Sequence, residues 1–151
     1  MDTDYTIQIA SRMAEIEREN KFFFSSQISL GELIQEIKKA GTTQEEGIDK
    51  TICFDFGYFY PNGLSSWRGS YSKLAIEYEY QSGVNVSAKD FLEKLESALG
   101  KTFEGHKGGE YVMTESTPVW VANYGQSGHT GVIGIHDNSY ELIILTAYCE
   151  F

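Results

Sequence analysis

The strongest constraint on the fold is the stretch YELIILTAYCEF, Tyr140 to Phe151. It is β-type in composition and apolar at odd and even positions alike, so neither face of the strand it forms can be left to water. A strand of that kind belongs in the interior of a sheet with a layer on each side. The segments before it, Glu110–Thr114, Pro118–Ala122 and Thr130–His136, also read as strands, separated by the turn-rich NYGQSG and DNS.

Further upstream the pattern is mixed. Leu74–Tyr80 alternates, with Leu74, Ile76, Tyr78 and Tyr80 on one face and Glu77 and Glu79 on the other, which predicts a half-buried strand. Thr51–Phe59 is β-type and is expected to stop at the turn chemistry of Pro61-Asn62-Gly63. Thr102–Gly109 reads as a glycine-containing loop. Helical spacing appears three times. Tyr5, Ile9, Met13 and Ile16 define a helix over Asp4–Glu19. Ser29 and Glu32 form a capping box ahead of Leu33, Ile34 and Ile37, and Ser87 with Asp90 caps a third helix that ends at Gly100. The expectation is one α+β domain over residues 1–151, a mainly antiparallel sheet of about five or six strands with two to three helices, residues 1–20 being an added N-terminal helix.

A chain of 151 residues buries enough surface to fold without staples. Its net charge of -10, from 22 acids and 12 bases, is spread along the sequence, and Lys101 and Lys107 are the only bases in the last third. No basic patch is available to hold a phosphate backbone, so nucleic acid is excluded as the expected partner. No apolar run is long enough to cross a membrane, and no export leader is read at the N-terminus, which points to the cytoplasm. Cys53 and Cys149 stand in apolar strand contexts and read as buried free thiols.

The usual catalytic patterns fail on spacing. Gly105-His106-Lys107-Gly108-Gly109 lacks the Walker spacing and is read as a flexible linker. Gly125-Gln126-Ser127-Gly128-His129 is one residue short of a nucleophile elbow. His129 and His136 are seven apart, which in an unbroken strand sets them on opposite faces. Glu77 and Glu79 match any solvated strand face. No catalytic residue, metal ligand or cofactor follows from these patterns.

One stretch stands apart. CFDFGYFYPNGLSSWRGSY, Cys53–Tyr71, carries seven aromatics with Asp55 and Arg68, and Arg68 is the only arginine after Arg18. A guanidinium binds phosphate or carboxylate through a planar fork and stacks on aromatic faces. Arg68, Trp67, Tyr71 and Tyr58 therefore form a candidate site for a flat anionic ligand, with Asn123 and Tyr124 as a second candidate at a turn. The competing reading pairs Arg68 with Asp55 beneath an aromatic cluster.

The pieces FDFG (Phe54–Gly57), SSWRGSY (Ser65–Tyr71) followed by Leu74-Ala75, GKTFEGHKGGEY (Gly100–Tyr111), and TPVWVANYG (Thr117–Gly125) followed by Thr130-Gly131-Val132 resemble a group of small bacteriophage-encoded proteins of unknown function. The resemblance runs from about Leu30 to the end and leaves Asp4–Glu19 outside. It carries over no active-site residue. What it implies is a setting: a phage accessory protein in the host cytoplasm that counters host immunity. The expected mode is sequestration of a nucleotide-derived signal by a homo-oligomer without catalysis. The alternatives are an acidic inhibitor that binds a host defence protein, and an enzyme that cleaves a nucleotide using His106, His129 or Glu77.

Overall fold

The computed structural model describes residues 27–40, 50–57, 59–80, 86–122, 129–138 and 140–150. The predicted first helix lies outside these residues, as do Tyr58, Asn123 and Tyr124.

Local signals set both described helices. In α1 (Leu30–Lys39) the Ser29 side chain accepts the Glu32 N–H while the Glu32 carboxylate accepts the Ser29 N–H, which completes the capping box. Leu30, Leu33, Ile34 and Ile37 are its buried stripe, and Lys38 and Lys39 lie at the negative end of the helix dipole. In α2 (Ala88–Ala98) Ser87 caps through Asp90, and Phe91, Leu92, Leu95 and Ala98 face inward. Lys38 and Glu96 link the two helices at 3.1 Å in an exposed pair worth little on its own.

The strands are β1 (Thr51–Phe54), β2 (Phe59–Ser66), β3 (Leu74–Tyr80), β4 (Thr102–Glu104), β5 (Glu110–Val112), β6 (Val119–Val121), β7 (Thr130–Asn138) and β8 (Glu141–Tyr148). Six of them form one sheet in the order β1-β8-β7-β6-β3-β2. The fold is α+β as expected, but the sheet is mixed rather than mainly antiparallel. β1 runs parallel to β8 and β3 parallel to β6. The second of these pairings needs a crossover, and α2 followed by the β4–β5 hairpin supplies it. That hairpin is a separate two-stranded sheet, so Thr102–Glu104, expected as loop, is a strand, and Glu110–Val112 is not in the main sheet. β8 lies in the interior of the order with Leu142, Ile143 and Ile144 fully buried, as its two apolar faces require.

Pro61-Asn62-Gly63 is not a turn either. It lies within β2, where the pairing with β3 shifts register between Pro61 and Gly63. β2 is the last strand of the order, and an edge strand with a bulge is where a proline costs no ladder bond. The actual break falls earlier, at Asp55–Gly57, with Gly57 at a φ of 113°. Across it the two ends of the sheet, β1 and β2, come alongside each other in a nearly barrel-like arrangement. The rings of Phe54, Phe56, Phe59 and Tyr78 fill the join at centroid separations of 4.8–6.0 Å. Asp55 finishes β1 by accepting the Thr146 N–H at 2.8 Å and the Thr146 hydroxyl at 2.6 Å.

The two faces of the sheet carry different cores. The inner one packs both helices on Ile52, Phe54, Leu74, Ile76, Val119, Val121, Val132, Leu142 and Ile144. The outer one is smaller: Trp67, Ala75, Trp120, Ala122 and Cys149, with Ile133 beside them. A bulge between Val132 and Gly134 reverses strand parity, so Val132 and Ile135 both pack toward the inner core. The strand is therefore not the unbroken one that would set His129 and His136 on opposite faces, although the rise per residue still leaves them roughly 20 Å apart. Among the described residues no helix is long and apolar enough to cross a membrane.

Candidate functional site: the outer-face cleft at Arg68

The segment WRGSY is the connection between β2 and β3. The Trp67 N–H donates to the Lys73 carbonyl at 2.8 Å, the Ser70 N–H to Trp67 and the Lys73 N–H to Ser70, which closes a tight tip. The chain reverses here, and its residues part company. Trp67 turns back over the outer face, is 1% exposed, and stacks on Trp120 with centroids 3.8 Å apart and planes within 3°. Gly69 makes that possible, since a side chain there would run into the indole. The glycine after the arginine thus accommodates Trp67 rather than opening the backbone to a ligand.

Tyr71 leaves in another direction. It is half-buried, its ring 6.1 Å from that of Tyr111 on β5, and Gly105 of the β4–β5 loop packs against both. The loop is held by the Gly105 N–H to Gly109 carbonyl and Gly108 N–H to Gly105 carbonyl bonds. GHKGG is therefore an ordered hairpin turn, which corrects the flexible-linker reading and brings the hairpin up against the outer face.

Arg68 remains at the surface, its side chain exposed. Among the described residues it has no ion-pair partner: the pairs found are Lys38–Glu96 and Lys50–Asp137, and Asp55 is engaged by Thr146. Arg68 instead borders a cleft of about 170 Å³ lined by Ser65, Ser66, Ala75, Glu77, Glu104, His106 and Ala122. The register explains the floor. Gly63 lies opposite Glu77 and Ser65 opposite Ala75, and the Ala122 N–H bonds the Ile76 carbonyl on the other side of β3. Small side chains thus run across three strands, and the charged groups stand around them.

Glu77 differs from an ordinary solvated strand residue. It is half-buried, and its carboxylate lies over Gly63, where a Cβ would come within 2.8 Å of Oε1. Arg68 and Glu77 border one cleft without pairing with each other. The hairpin contributes Glu104 and His106 on the remaining side. Chemically the cleft offers a guanidinium fork, the half-buried Glu77 carboxylate and the exposed one of Glu104, the Ser65 hydroxyl and an imidazole around a small floor, the Ser66 hydroxyl being engaged by the Tyr71 carbonyl.

No family model, curated protein or solved structure matches this chain. The site must therefore be read from its own geometry. Of the sequence candidates, Arg68 borders the cleft, Trp67 is sealed in the stack behind it, and Tyr71 supports the hairpin. Tyr58, Asn123 and Tyr124 lie outside the described residues, Asn123 directly following the cleft residue Ala122 in sequence. Glu77 and His106 carry a signal in the sequence only as isolated charges. Ser65, Glu104 and Ala122 carry none, because the hairpin contact that assembles them is tertiary.

Proposed function

We propose that this protein is a non-catalytic phage accessory protein that binds and sequesters a nucleotide-derived signal, with Arg68 as the anion-recognising group. The observation that supports this reading is an exposed guanidinium without a carboxylate partner among the described residues, placed at the edge of a cleft whose floor is small and flat. An arginine held only by solvent contributes little to stability, whereas at such an edge its fork is free for a phosphate or a base edge. Ligand pockets usually span about 300–1,000 Å³, so a cleft of about 170 Å³ takes one moiety of a nucleotide and leaves the rest outside. The motif resemblance supplies the phage setting.

The test is a thermal-shift screen of cyclic dinucleotides and ADP-ribose derivatives. A ligand at a hundred times its Kd stabilises by about 2.7 kcal/mol, which for a domain of this size is a rise of roughly 5–10 °C. Arg68→Ala abolishes the rise and leaves the apo melting temperature unchanged. A rise that survives the substitution, or a screen without any rise, defeats the proposal.

A second reading has its own support, because His106 and Glu77 border the same cleft and are an acid-base pair by residue type. Under that reading the protein cleaves its nucleotide. Recovery of the ligand chemically intact after incubation and denaturation decides against it.

A further inference from the structure

We infer that the Arg68 cleft is selective for guanine, with Glu77 as the specificity-determining residue. The inference rests on the nucleotide-binding reading above and narrows it to one base.

Position comes first. On the outer face the residues of β2, β3 and β6 form two successive rungs, Gly63–Glu77–Ala122 and Ser65–Ala75–Trp120. Rungs on one face are two residues apart, about 7 Å along the strand. Glu77 stands on the first rung. Ser65 and Ala75 form the floor of the second, and Arg68 enters from the turn beyond it. Among the described residues neither the Glu77 carboxylate nor the Arg68 guanidinium has an ion-pair partner, and the small floor of Ser65 and Ala75 lies between their positions in the cleft. At about 170 Å³ the space suits a single base and not a dinucleotide.

Hydrogen-bond chemistry then selects the base. Guanine presents two adjacent N–H donors, N1 and N2, which match the two acceptor oxygens of a carboxylate. Its next edge presents O6 and N7, the pair that an arginine fork reads bidentately. One planar ring therefore satisfies Glu77 and Arg68 together. Adenine offers a single amino donor flanked by acceptors, which turns a lone pair toward the carboxylate. Gly63, opposite Glu77 on β2, matters here because the carboxylate lies over the position its missing Cβ would take, which keeps Glu77 half-buried at the end of the cleft rather than extended into water. A half-buried carboxylate without a partner among the described residues gains most from donors that replace its lost water.

The experiment measures binding of GMP, IMP and AMP by calorimetry to the full chain, to Glu77→Gln and to Arg68→Ala. IMP keeps N1–H, O6 and N7 and lacks only the N2 amino group. In the native protein GMP binds at least tenfold tighter than IMP and about a hundredfold tighter than AMP. In Glu77→Gln one carboxylate oxygen becomes an amide donor facing the N2 amino group. GMP weakens 10- to 100-fold while IMP changes little, so the preference collapses. A purely structural role for Glu77 would weaken all three alike, and a circular dichroism melt of the variant checks the fold. If nucleotides bind through Arg68 without base preference, or the preference persists in Glu77→Gln, the guanine inference falls and the binding function stands. If no nucleotide binds, or binding ignores Arg68→Ala, both fall.

Discussion

Replacing Gly69 by alanine should be far more damaging than a single methyl on an exposed turn suggests. The added Cβ would stand 2.5 Å from Cζ2 and Cζ3 of Trp67 and overlap its Cη2. The indole has nowhere to retreat, because its other face lies on Trp120 at 3.8 Å with nearly parallel planes. Either the turn backbone shifts or the stack opens. Overpacking of this kind costs about 1–3 kcal/mol, and losing an aromatic pair adds about 0.5–1.5 kcal/mol. A total of about 3 kcal/mol lowers the melting temperature by roughly 6–12 °C in a domain of this size. The assay is specific, since Trp67 and Trp120 are the chain's two tryptophans and indole fluorescence therefore reports the stack alone. Gly69→Ala should lower the melting temperature and change the native tryptophan emission together. Gly100→Ala is the control: its φ is 75° with nothing within 4 Å of an added Cβ. It pays only the left-handed backbone penalty of about 1–2 kcal/mol and leaves the emission unaltered. A Gly69→Ala protein that melts within about 2 °C of the parent, roughly 1 kcal/mol, with unchanged emission would refute the packing argument.

Two further outcomes follow from the described structure. Ser29→Ala removes the side-chain half of the α1 capping box and should cost about 1 kcal/mol, seen as a fall of about 2–4 °C in melting temperature; an unchanged melt would show that the cap carries no stability. Burial pushes the Cys149 thiol above its ordinary 9.0, against a smaller opposing pull from the Gly131 backbone. The folded thiol therefore keeps its proton where the unfolded one loses it, so the stability this thiol contributes is fully present below pH 9.0 and is lost as pH rises above it. Cys149→Ala should flatten that alkaline decline, and alkylation of the native protein should reach half-buried Cys53 first; rapid labelling of Cys149 without unfolding would contradict its burial.

What the sequence made legible divides along the range of the interactions involved. Ser29 with Glu32 and Ser87 with Asp90 act within one helical turn, so both described helices could be read with their starts. The two-faced apolar run of β8 likewise carries its interior position in its own residues. The parallel pairings do not, because β1 beside β8 and β3 beside β6 join segments whose relation is set by the whole crossover. Pro61-Asn62-Gly63 misleads for a related reason: turn chemistry and edge-bulge chemistry use the same residues, and only the sheet order separates them.

The candidate site shows the same division at the level of single side chains. Arg68 stands out because arginine is scarce here and a lone guanidinium needs a partner or water. The aromatics around it do not sort themselves, since a ring that walls a pocket and a ring that fills a core have one composition. Gly69 is what sorts Trp67: with no side chain at that position, the indole folds back onto Trp120 and is sealed in the stack rather than walling the cleft. Gly63 acts on Glu77: with no Cβ there, the carboxylate lies over the neighbouring strand, half-buried, where strand periodicity alone assigns it to solvent. The functional contrast between these two side chains is therefore set by glycines on β2 and its turn, which is why mutating the glycines and mutating the charges should separate architecture from recognition. Gly69→Ala should damage the fold, and Arg68→Ala should remove the ligand and leave the fold standing.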